Sequence, residues 1–374
     1  MNIAILGLGT IGSGVYKLLK NREDICVKRI LDLKCWTDNM TTDINDIVND
    51  ESIETVVETM GGIHPAREYA LKCIQAGKNY VSANKLLISK CAQELKSAAE
   101  ENDVSLLFGA ACGGGIPYLK SLSESRDIDR ITAVGGILNG TTNYILDNVF
   151  SNGISYDDAL AEAQRLGFAE RDPSSDINGL DTARKLILSC ACAFGTLLNE
   201  EDMPIYGITN LSNADVAYAK ENHCVIRLTA KAVKEENGET EAYVVPEMIP
   251  EGSVEAGIRQ NVNYAYFEGK NIGRFGFTGQ GAGKMPTAAN IIRDVCSGSR
   301  TMLPAALYES QIKPVSMHAF YVRVPKAFGE EFNAVAEKID ILGEYIQVIT
   351  KPVTFEELRA LLKDIDDKFI MLMR

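Results

Sequence analysis

A strand, a glycine turn and a helix open the chain, and no other feature constrains its fold as much. Residues 2–6 are a short apolar run, which is typical of a buried parallel strand. Gly7-Leu8-Gly9-Thr10-Ile11-Gly12 follows directly, and apolar residues then recur at helical spacing. In this setting Gly7 allows the tight turn, Gly9 lets the backbone approach a pyrophosphate, and Gly12 lets helix and strand pack closely. The pattern predicts a dinucleotide site at the helix N-terminus, with an incidental tight turn as the alternative.

The second strand carries the residue that is expected to contact the ribose. We predict this strand over Cys26–Leu33, and Asp32 stands 20 residues after Gly12. An acid at this distance hydrogen-bonds a ribose 2′-hydroxyl and favours NAD. Arg29 and Lys34 lie close by in sequence and can instead accept the 2′-phosphate of NADP, so both cofactors stay open.

Strands and helices continue to alternate over the first hundred residues, which is typical of a doubly wound parallel sheet. The predicted elements are strands over Thr55–Thr59, Asn79–Ser82 and Ser105–Phe108 and helices over His64–Ala76 and Gln93–Glu101. Loops after the carboxyl ends of such strands hold the ligand. This rule places Thr59-Met60-Gly61-Gly62 and Ser82-Ala83-Asn84-Lys85 in the cofactor crevice. Lys85 is a candidate active-site cation, and an exposed loop lysine is the alternative.

The middle of the chain carries a candidate ligand contact and a helix that is expected to be buried. After a predicted strand over Ile131–Leu138, Thr141 or Thr142 is expected to cap a helix that begins near Tyr144. The N-terminus of that helix suits a carboxylate, although capping alone needs no ligand. Further along, the predicted helix Gly179–Phe194 is apolar nearly all round and is therefore expected to be buried.

That buried helix carries a charged pair at its mouth. Asp181 and Lys185 are four residues apart and so lie on one face. On a solvated helix such a pair is a weak surface salt bridge, which is the alternative interpretation. At the mouth of a buried helix it is a candidate functional site.

The segment 223–268 differs from the first hundred residues, because strand-like runs there are separated by polar turns. This pattern predicts an α+β second domain, and a sheet with open edges often pairs across a dimer. Gly279-Gln280-Gly281-Ala282-Gly283 then introduces a predicted helix over Pro286–Ser297, which can return to the cofactor.

Composition excludes several classes of protein. The chain is 46% hydrophobic and 24% charged, an ordinary globular balance. Its net charge of −13 and the lack of a long basic run argue against nucleic-acid and anionic-membrane surfaces. No long uncharged apolar run predicts a membrane span, and the N-terminus lacks the basic leader of a signal peptide. The nine cysteines show no spaced framework and are expected to be reduced cytoplasmic thiols.

Together these motifs resemble homoserine dehydrogenase, and their order and spacing hold over about residues 1–300. The matching segments are Gly7–Gly12, Glu58–Gly62, Val81–Lys85, Gly113–Pro117, Gly136–Tyr144, Leu166–Glu170, Asp172-Pro173, Asp176, Asn178–Asp181, Ala183–Leu186, Gly281–Gly283 and Pro286–Ala288.

The resemblance implies the reversible reduction of L-aspartate 4-semialdehyde to L-homoserine with NADH or NADPH, in threonine and methionine synthesis. It implies that Lys185 protonates the developing alkoxide and that Lys85 is the second lysine in proton transfer. The candidate substrate-binding residues are Gly140, Thr141, Glu170, Asp176 and Asp181. The candidate cofactor-binding residues are Gly7, Gly9, Thr10, Ile11, Gly12, Asp32, Thr59, Met60, Gly61, Ser82, Lys85 and Gly281.

The resemblance also implies a fold, an ion and an oligomer. We expect a Rossmann-like domain over 1–117, completed by about 270–312, and a substrate-binding and dimerisation domain over 118–269. Residues 313–374 are expected to form a short, divergent ACT-like module: strand (His318–Val324), helix (Glu330–Ile339), strand (Tyr345–Thr350), helix (Thr354–Asp364) and strand (Phe369–Met373). A homodimer or higher homo-oligomer is expected.

Family members often carry Glu and Val before the triple glycine, where a sodium ion is bound largely by backbone carbonyls. Here Gly109 and Cys112 occupy those places. The candidate ligands are therefore the backbone oxygens of Gly109, Cys112, Gly114 and Ile116.

Two other functions stay open. One is a dehydrogenase for another small amino-acid aldehyde or alcohol, which substrate profiling would separate. The other is a non-catalytic amino-acid sensor that keeps the fold. The presence of Lys85, Glu170, Asp181 and Lys185 argues against the sensor.

Overall fold

The structure is a computed structural model that describes residues 1–297, 301–310, 312 and 316–374 of the 374-residue chain. Among these residues a six-stranded parallel sheet and a nine-stranded mixed sheet organise the fold. No helix of this described part is long and apolar enough to cross a membrane. All nine cysteines lie within it and are free thiols.

The first 107 residues build the parallel sheet. Its elements are β1 (Asn2–Leu6), α1 (Thr10–Leu19), β2 (Cys26–Leu31), β3 (Met40–Thr41), α2 (Asn45–Val48), β4 (Thr55–Glu58), α3 (Ala66–Gln75), β5 (Asn79–Ser82), α4 (Lys85–Glu101) and β6 (Leu106–Leu107). The strands pair in the order β3-β2-β1-β4-β5-β6, which confirms the predicted doubly wound sheet. In such a sheet ligands bind where the strand order reverses, here outside the carboxyl ends of β1 and β4.

The glycine turn after β1 is packed directly against the loop after β4. A Cβ atom on Gly12 would lie 2.0 Å from the carbonyl oxygen of Gly7 and 2.7 Å from Thr59 Oγ1, so only glycine permits this approach. A Cβ atom on Gly9 would meet no atom within 4 Å. The two glycines therefore differ: Gly12 serves packing, and Gly9 leaves open space in front of the helix.

Two helices begin at asparagines that the sequence did not indicate as caps. Helix α4 begins at Lys85, eight residues before the predicted helix, because the Asn84 side chain accepts the N–H of Leu87 at 3.1 Å. The helix is kinked at Cys91, which has a non-helical φ of −122°, and the part after the kink contains the predicted helix Gln93–Glu101. Lys85 is thus the first residue of a helix and not part of a loop.

The second of these helices begins at Gly140, four residues before the predicted start near Tyr144. The predicted capping by Thr141 or Thr142 is wrong, since Asn139 Oδ1 accepts the N–H of Thr142 at 2.9 Å. The hydroxyls of Thr141 and Thr142 donate instead to the carbonyl oxygens of Phe168 and Asn139.

The middle of the chain supplies helices and most of the mixed sheet. Its elements are α5 (Tyr118–Arg126), β7 (Ile131–Ile137), α6 (Gly140–Asn152), α7 (Tyr156–Arg165), α8 (Ser174–Ile177), α9 (Leu180–Phe194), β8 (Thr196–Leu197), α10 (Asn213–Glu221), β9 (Cys224–Lys234), β10 (Thr240–Pro250), β11 (Val262–Gly269), β12 (Gly273–Gln280) and α11 (Lys284–Val295). Helix α9 packs against α4, α5, β7 and β9. It is buried as predicted and joins the two sheets.

Helix α11 returns to the parallel sheet and packs on α1. A parallel bridge between Leu106 and Thr301 extends this return. The β11–β12 hairpin spans positions 269 and 270, so the mixed sheet continues past the expected end of the second domain. The domain boundaries themselves stay a prediction, and 298–300, 311 and 313–315 lie outside the described residues.

The C-terminal strands extend the mixed sheet. The elements are β13 (Tyr308–Glu309), β14 (Phe320–Pro325), β15 (Ala336–Leu342), β16 (Tyr345–Thr350), α12 (Phe355–Leu361) and β17 (Phe369–Met373). The sheet order is β12-β11-β7-β9-β10-β17-β14-β16-β15, in which β17 runs parallel to β10. The ACT-like assignment is not confirmed.

The helix predicted over Glu330–Ile339 is wrong. The chain makes a 3₁₀ turn over Lys326–Phe332 and then enters β15, which pairs with β16 around Gly343. Gly343 has a φ of 60°, which suits a hairpin turn. The helix was predicted from the local propensity of these residues. Their pairing with β16 outweighs that propensity.

Candidate active site

A cleft with a volume of about 880 Å³ separates the parallel sheet from the mixed sheet. Of the predicted site residues, it is lined by Thr10, Ile11, Lys85, Gly114, Gly140, Thr141, Glu170, Asp176, Asp181, Lys185 and Gly281. The predicted residues Gly7, Gly9, Gly12, Asp32, Thr59, Met60, Gly61, Ser82, Gly109, Cys112 and Ile116 lie outside this lining. The structure thus brings the two lysines and all five candidate substrate-binding residues together in one cleft.

One carboxylate binds both lysines. Lys185 Nζ lies 2.7 Å from Asp181 Oδ2, and Lys85 Nζ lies 3.1 Å from Asp181 Oδ1. The first pair is the i,i+4 pair on α9, and the second joins the start of α4 to the start of α9. Only the first of these contacts is visible in the sequence spacing.

Electrostatics keep Asp181 ionised. Burial alone would raise the pKa of its carboxyl group, but Lys185 and Lys85 outweigh burial and hold the pKa well below its usual range. The same attraction to Asp181 raises the pKa of Lys85. Asp181 and Lys85 are therefore both charged at neutral pH.

Lys185 is held on two sides. Its Nζ also donates to the carbonyl oxygen of Leu138 at 2.5 Å, and that oxygen accepts Asn263 Nδ2 at 2.7 Å. An ammonium group has three N–H donors. Among the described residues, Asp181 and Leu138 take two of them, so the third can donate to a ligand oxygen in the cleft.

Asn139 links the acids of the site and was not predicted as a site residue. Its Nδ2 donates to Asp176 Oδ1 at 2.7 Å and to Asp181 Oδ2 at 2.9 Å, while its Oδ1 caps α6. Burial raises the pKa of Asp176, and the nearby Asp181 carboxylate raises it further. The signal that could have found Asn139 is its place directly before Gly140 in a matching segment.

The loop that carries Glu170 is tied to the start of α6. Thr141 Oγ1 donates to the carbonyl oxygen of Phe168 at 2.6 Å, and Glu170 is exposed at the rim of the cleft. Glu170 and Asp176 therefore border the same space as the N-terminus of α6. Carboxylates suit a ligand ammonium, and a helix N-terminus suits a ligand carboxylate.

The glycine turn fits a dinucleotide. Gly9 caps α1 and leaves open space, and Thr10 and Ile11 line the cleft. Asp32 lies beside this turn, because its Oδ2 accepts the N–H of Leu8 at 2.6 Å. An acid is therefore present next to the phosphate-binding turn, as a ribose contact requires.

Glu58 organises the two loops of the cofactor crevice and was also missed. Its Oε1 accepts the N–H groups of Met60 at 2.7 Å and Gly61 at 3.2 Å, and its Oε2 accepts Ser82 Oγ at 2.6 Å. Thr59 Oγ1 donates to the carbonyl oxygen of Gly7 at 2.8 Å. The hydroxyls of Thr59 and Ser82 thus hold the protein's own loops together.

The triple-glycine turn does not fit the implied sodium ion. The carbonyl oxygens of Gly114 and Ile116 both accept the side-chain amide of Asn290. The part of the chain that the structure describes also holds no group of three His, Cys, Asp or Glu placed to hold a metal.

Several known proteins are similar to this chain over most of its length. Residues 117–296 match the family described as homoserine dehydrogenase, and residues 7–109 match its NAD binding domain. A homoserine dehydrogenase from Synechocystis sp. is 39% identical over 313 residues, which cover 79% of this chain and 72% of that protein. The chain belongs to the homoserine dehydrogenase family. The resemblance of the motifs is confirmed, and with it an NAD(P)-dependent oxidoreductase function.

Two further relatives extend the match to the C-terminal strands. A homoserine dehydrogenase from Corynebacterium glutamicum is 33% identical over 99% of this chain and 88% of its own length. The crystal structure of a homoserine dehydrogenase from Thiobacillus denitrificans has a TM-score of 0.88 at 29% identity, covering 100% of this chain and 98% of that one. The mixed sheet with its C-terminal strands is therefore shared with another homoserine dehydrogenase.

Removing the shared carboxylate should destabilise the protein. Asp181→Asn leaves two ammonium groups without their counter-ion, one of them buried, and breaking such a pair costs about 3 kcal/mol. Glu200→Gln is the matched control, since it breaks the Arg184–Glu200 pair, which also involves α9 but is more exposed. Urea unfolding would measure both changes. Equal losses in the two variants would contradict the central role of Asp181.

Proposed function

We propose that the cleft binds L-homoserine or L-aspartate 4-semialdehyde beside the nicotinamide of NAD(P) and that Lys185 is the acid–base group. One observation carries this proposal: Lys185 Nζ is fixed by Asp181 and Leu138 in the same cleft that Thr10 and Ile11 of the dinucleotide turn line. A cation held beside a dinucleotide turn is what reduction of an aldehyde needs, because negative charge develops on the oxygen.

The proton transfer is assigned to Lys185 Nζ. A bound dinucleotide supplies the hydride in the direction of reduction. As the aldehyde oxygen becomes an alkoxide, the ammonium of Lys185 stabilises the charge and donates one proton to that oxygen. In the oxidation direction the neutral amine of Lys185 accepts the hydroxyl proton. Asp181 and the carbonyl of Leu138 orient Nζ in both directions.

The acids and the helix terminus bind the amino-acid part of the substrate. Glu170 and Asp176 accept hydrogen bonds from the substrate ammonium, and Gly140 and Thr141 at the start of α6 face its carboxylate. Asn139 holds Asp176 in place through the 2.7 Å contact. Lys85 borders both the cofactor and the substrate regions and is assigned as the second lysine near the reacting oxygen.

Loss of the Lys185 amine should remove turnover and spare cofactor binding. Lys185→Ala is expected to lower kcat by about 10²–10⁴-fold, the usual worth of a general acid–base group. Lys185 does not lie at the glycine turn, so NAD(P)H affinity should stay within about twofold by fluorescence titration. Lys90→Ala, at an exposed lysine of α4, is the control. A Lys185→Ala enzyme that keeps most of its kcat would refute the assignment.

Asp32 is proposed to favour NAD over NADP. Its carboxylate lies beside the phosphate-binding turn and would repel a 2′-phosphate. The two cations that were considered as contacts of a 2′-phosphate are Arg29 and Lys34. Arg29 Nη1 donates to the carbonyl oxygen of Asp38, and Lys34 is exposed.

Neutralising Asp32 should shift cofactor choice. Asp32→Asn removes the charge while keeping an oxygen for the turn, so the ratio of kcat/KM for NAD to that for NADP should fall about tenfold. Asp38→Asn, an exposed acid nearby, serves as the control. The measurement is homoserine oxidation with each cofactor, and an unchanged ratio would rule Asp32 out.

The edge of the mixed sheet is proposed to form a homo-oligomer. Strand β12 lies at the end of the sheet, and Phe275 on it is 47% exposed. Ile128, which is 79% exposed, lines a surface groove together with Phe275. An exposed apolar edge strand is typical of a surface that a second copy covers.

A charge at this edge should break the oligomer. Phe275→Glu is expected to shift the sedimentation coefficient to that of the monomer. Leu33→Glu, which adds the same charge at an exposed position after β2, should leave it unchanged. A wild-type protein that sediments as a monomer at micromolar concentration would refute the proposal.

A further inference from the structure

The triple-glycine turn is held by a side chain from a distant helix. Asn290 lies on α11 and is 1% exposed. Its Nδ2 donates to the carbonyl oxygen of Gly114 at 2.8 Å and to that of Ile116 at 3.2 Å. These are two of the four backbone oxygens that were expected to bind sodium.

The orientation of this amide is set from both sides. Asn290 Oδ1 accepts Arg293 Nη1 at 2.9 Å. A guanidinium group can only donate and a backbone carbonyl can only accept. The Nδ2 atom must therefore face the two carbonyls, and an exchange of amide oxygen and nitrogen would place acceptors against acceptors.

We propose that the Asn290 amide takes the place of the monovalent cation at this turn, so that this chain binds no sodium there. A cation of this kind needs several oxygens directed at one empty position. Here the amide nitrogen occupies the position between the carbonyls of Gly114 and Ile116. The amide is neutral, so it needs no acidic side chain to balance a positive charge, as a cation would.

The space beside Gly109 supports the same interpretation. A Cβ atom on Gly109 would lie 2.9 Å from Asp294 Oδ1 and 3.1 Å from Met302 Cε, so a side chain at this position would require the ends of those two side chains to move. Asp294 Oδ2 accepts the N–H of Gly109 at 2.7 Å. Asn290 and Asp294 are four residues apart on one face of α11, and both side chains contact the segment that carries the triple glycine.

The amide also has a structural consequence for the cleft. Gly114 lines one wall, and Lys284, Pro286 and Thr287 at the start of α11 line the neighbouring wall. Asn290 therefore joins the turn to α11 without an ion. The joint needs no ion and should not respond to the sodium concentration.

The test is the melting temperature of the full chain in NaCl, KCl and choline chloride at matched ionic strength. The wild type is expected to melt at the same temperature in all three salts. A melting temperature that rises with sodium and not with choline would overturn the proposal, because a ligand that binds only the folded state stabilises it more as its concentration rises.

Removing the amide should create a sodium response. Asn290→Ala frees the carbonyls of Gly114 and Ile116, and it is expected to melt several degrees lower in choline chloride and to recover part of that loss in NaCl. An Asn290→Ala protein that melts alike in both salts would overturn the proposal. If this variant does not fold, Asn290→Ser, which cannot span both carbonyls, replaces it in the same experiment.

Asn143 offers a matched control. It is also fully buried, and its Nδ2 donates to the carbonyl oxygens of Ile258 at 3.3 Å and Val262 at 3.1 Å, away from the glycine turn. Asn143→Ala should lose stability equally in all three salts, and a sodium recovery as large as that of Asn290→Ala would overturn the proposal. The readout needs no turnover, so its result is independent of the proposed reaction.

Discussion

The Asp181 carboxylate is the contact on which the active site depends, because it binds the ammonium groups of two helices at once. Lys85 is the first residue of α4 and Lys185 is one turn into α9, and both reach the same carboxylate. Charges in such a site are stable only with partners. The position of the lysines therefore requires α4 to pack on α9, and α9 to join the parallel sheet to the mixed sheet.

Asparagine side chains fix much of this arrangement. Asn84 caps α4 and so makes Lys85 its first residue, and Asn139 caps α6 while it donates to Asp176 and Asp181. Asn290 holds the glycine turn on the other wall of the cleft. An amide both donates and accepts without carrying charge, which lets each of these residues join a backbone segment to a second group at no cost in charge balance.

Local patterns predicted the features that depend on local sequence. The strand, turn and helix around Gly9 follow from one continuous stretch of sequence, and the structure contains them. The pairing of Asp181 with Lys185 follows from their spacing on one helix, and the structure contains it too. The contact of Lys85 with Asp181 and the role of Asn290 depend on which helices pack together, and no spacing within one element contains that information. Strand β15 was missed for the same reason, since its pairing with β16 outweighs the helix propensity of its residues.

The charges of the cleft are of the signs that the proposed substrate would require. Lys85, Lys185 and Asp181 together carry one net positive charge where the aldehyde oxygen would gain a negative one. Glu170 and Asp176 border the same cleft, and under the proposed function they would bind the substrate ammonium. The protein has a net charge of −13, so this local positive charge runs against its overall charge. In the proposed reaction a ground-state aldehyde would interact with the lysines less strongly than an alkoxide would, and that difference would accelerate the reaction.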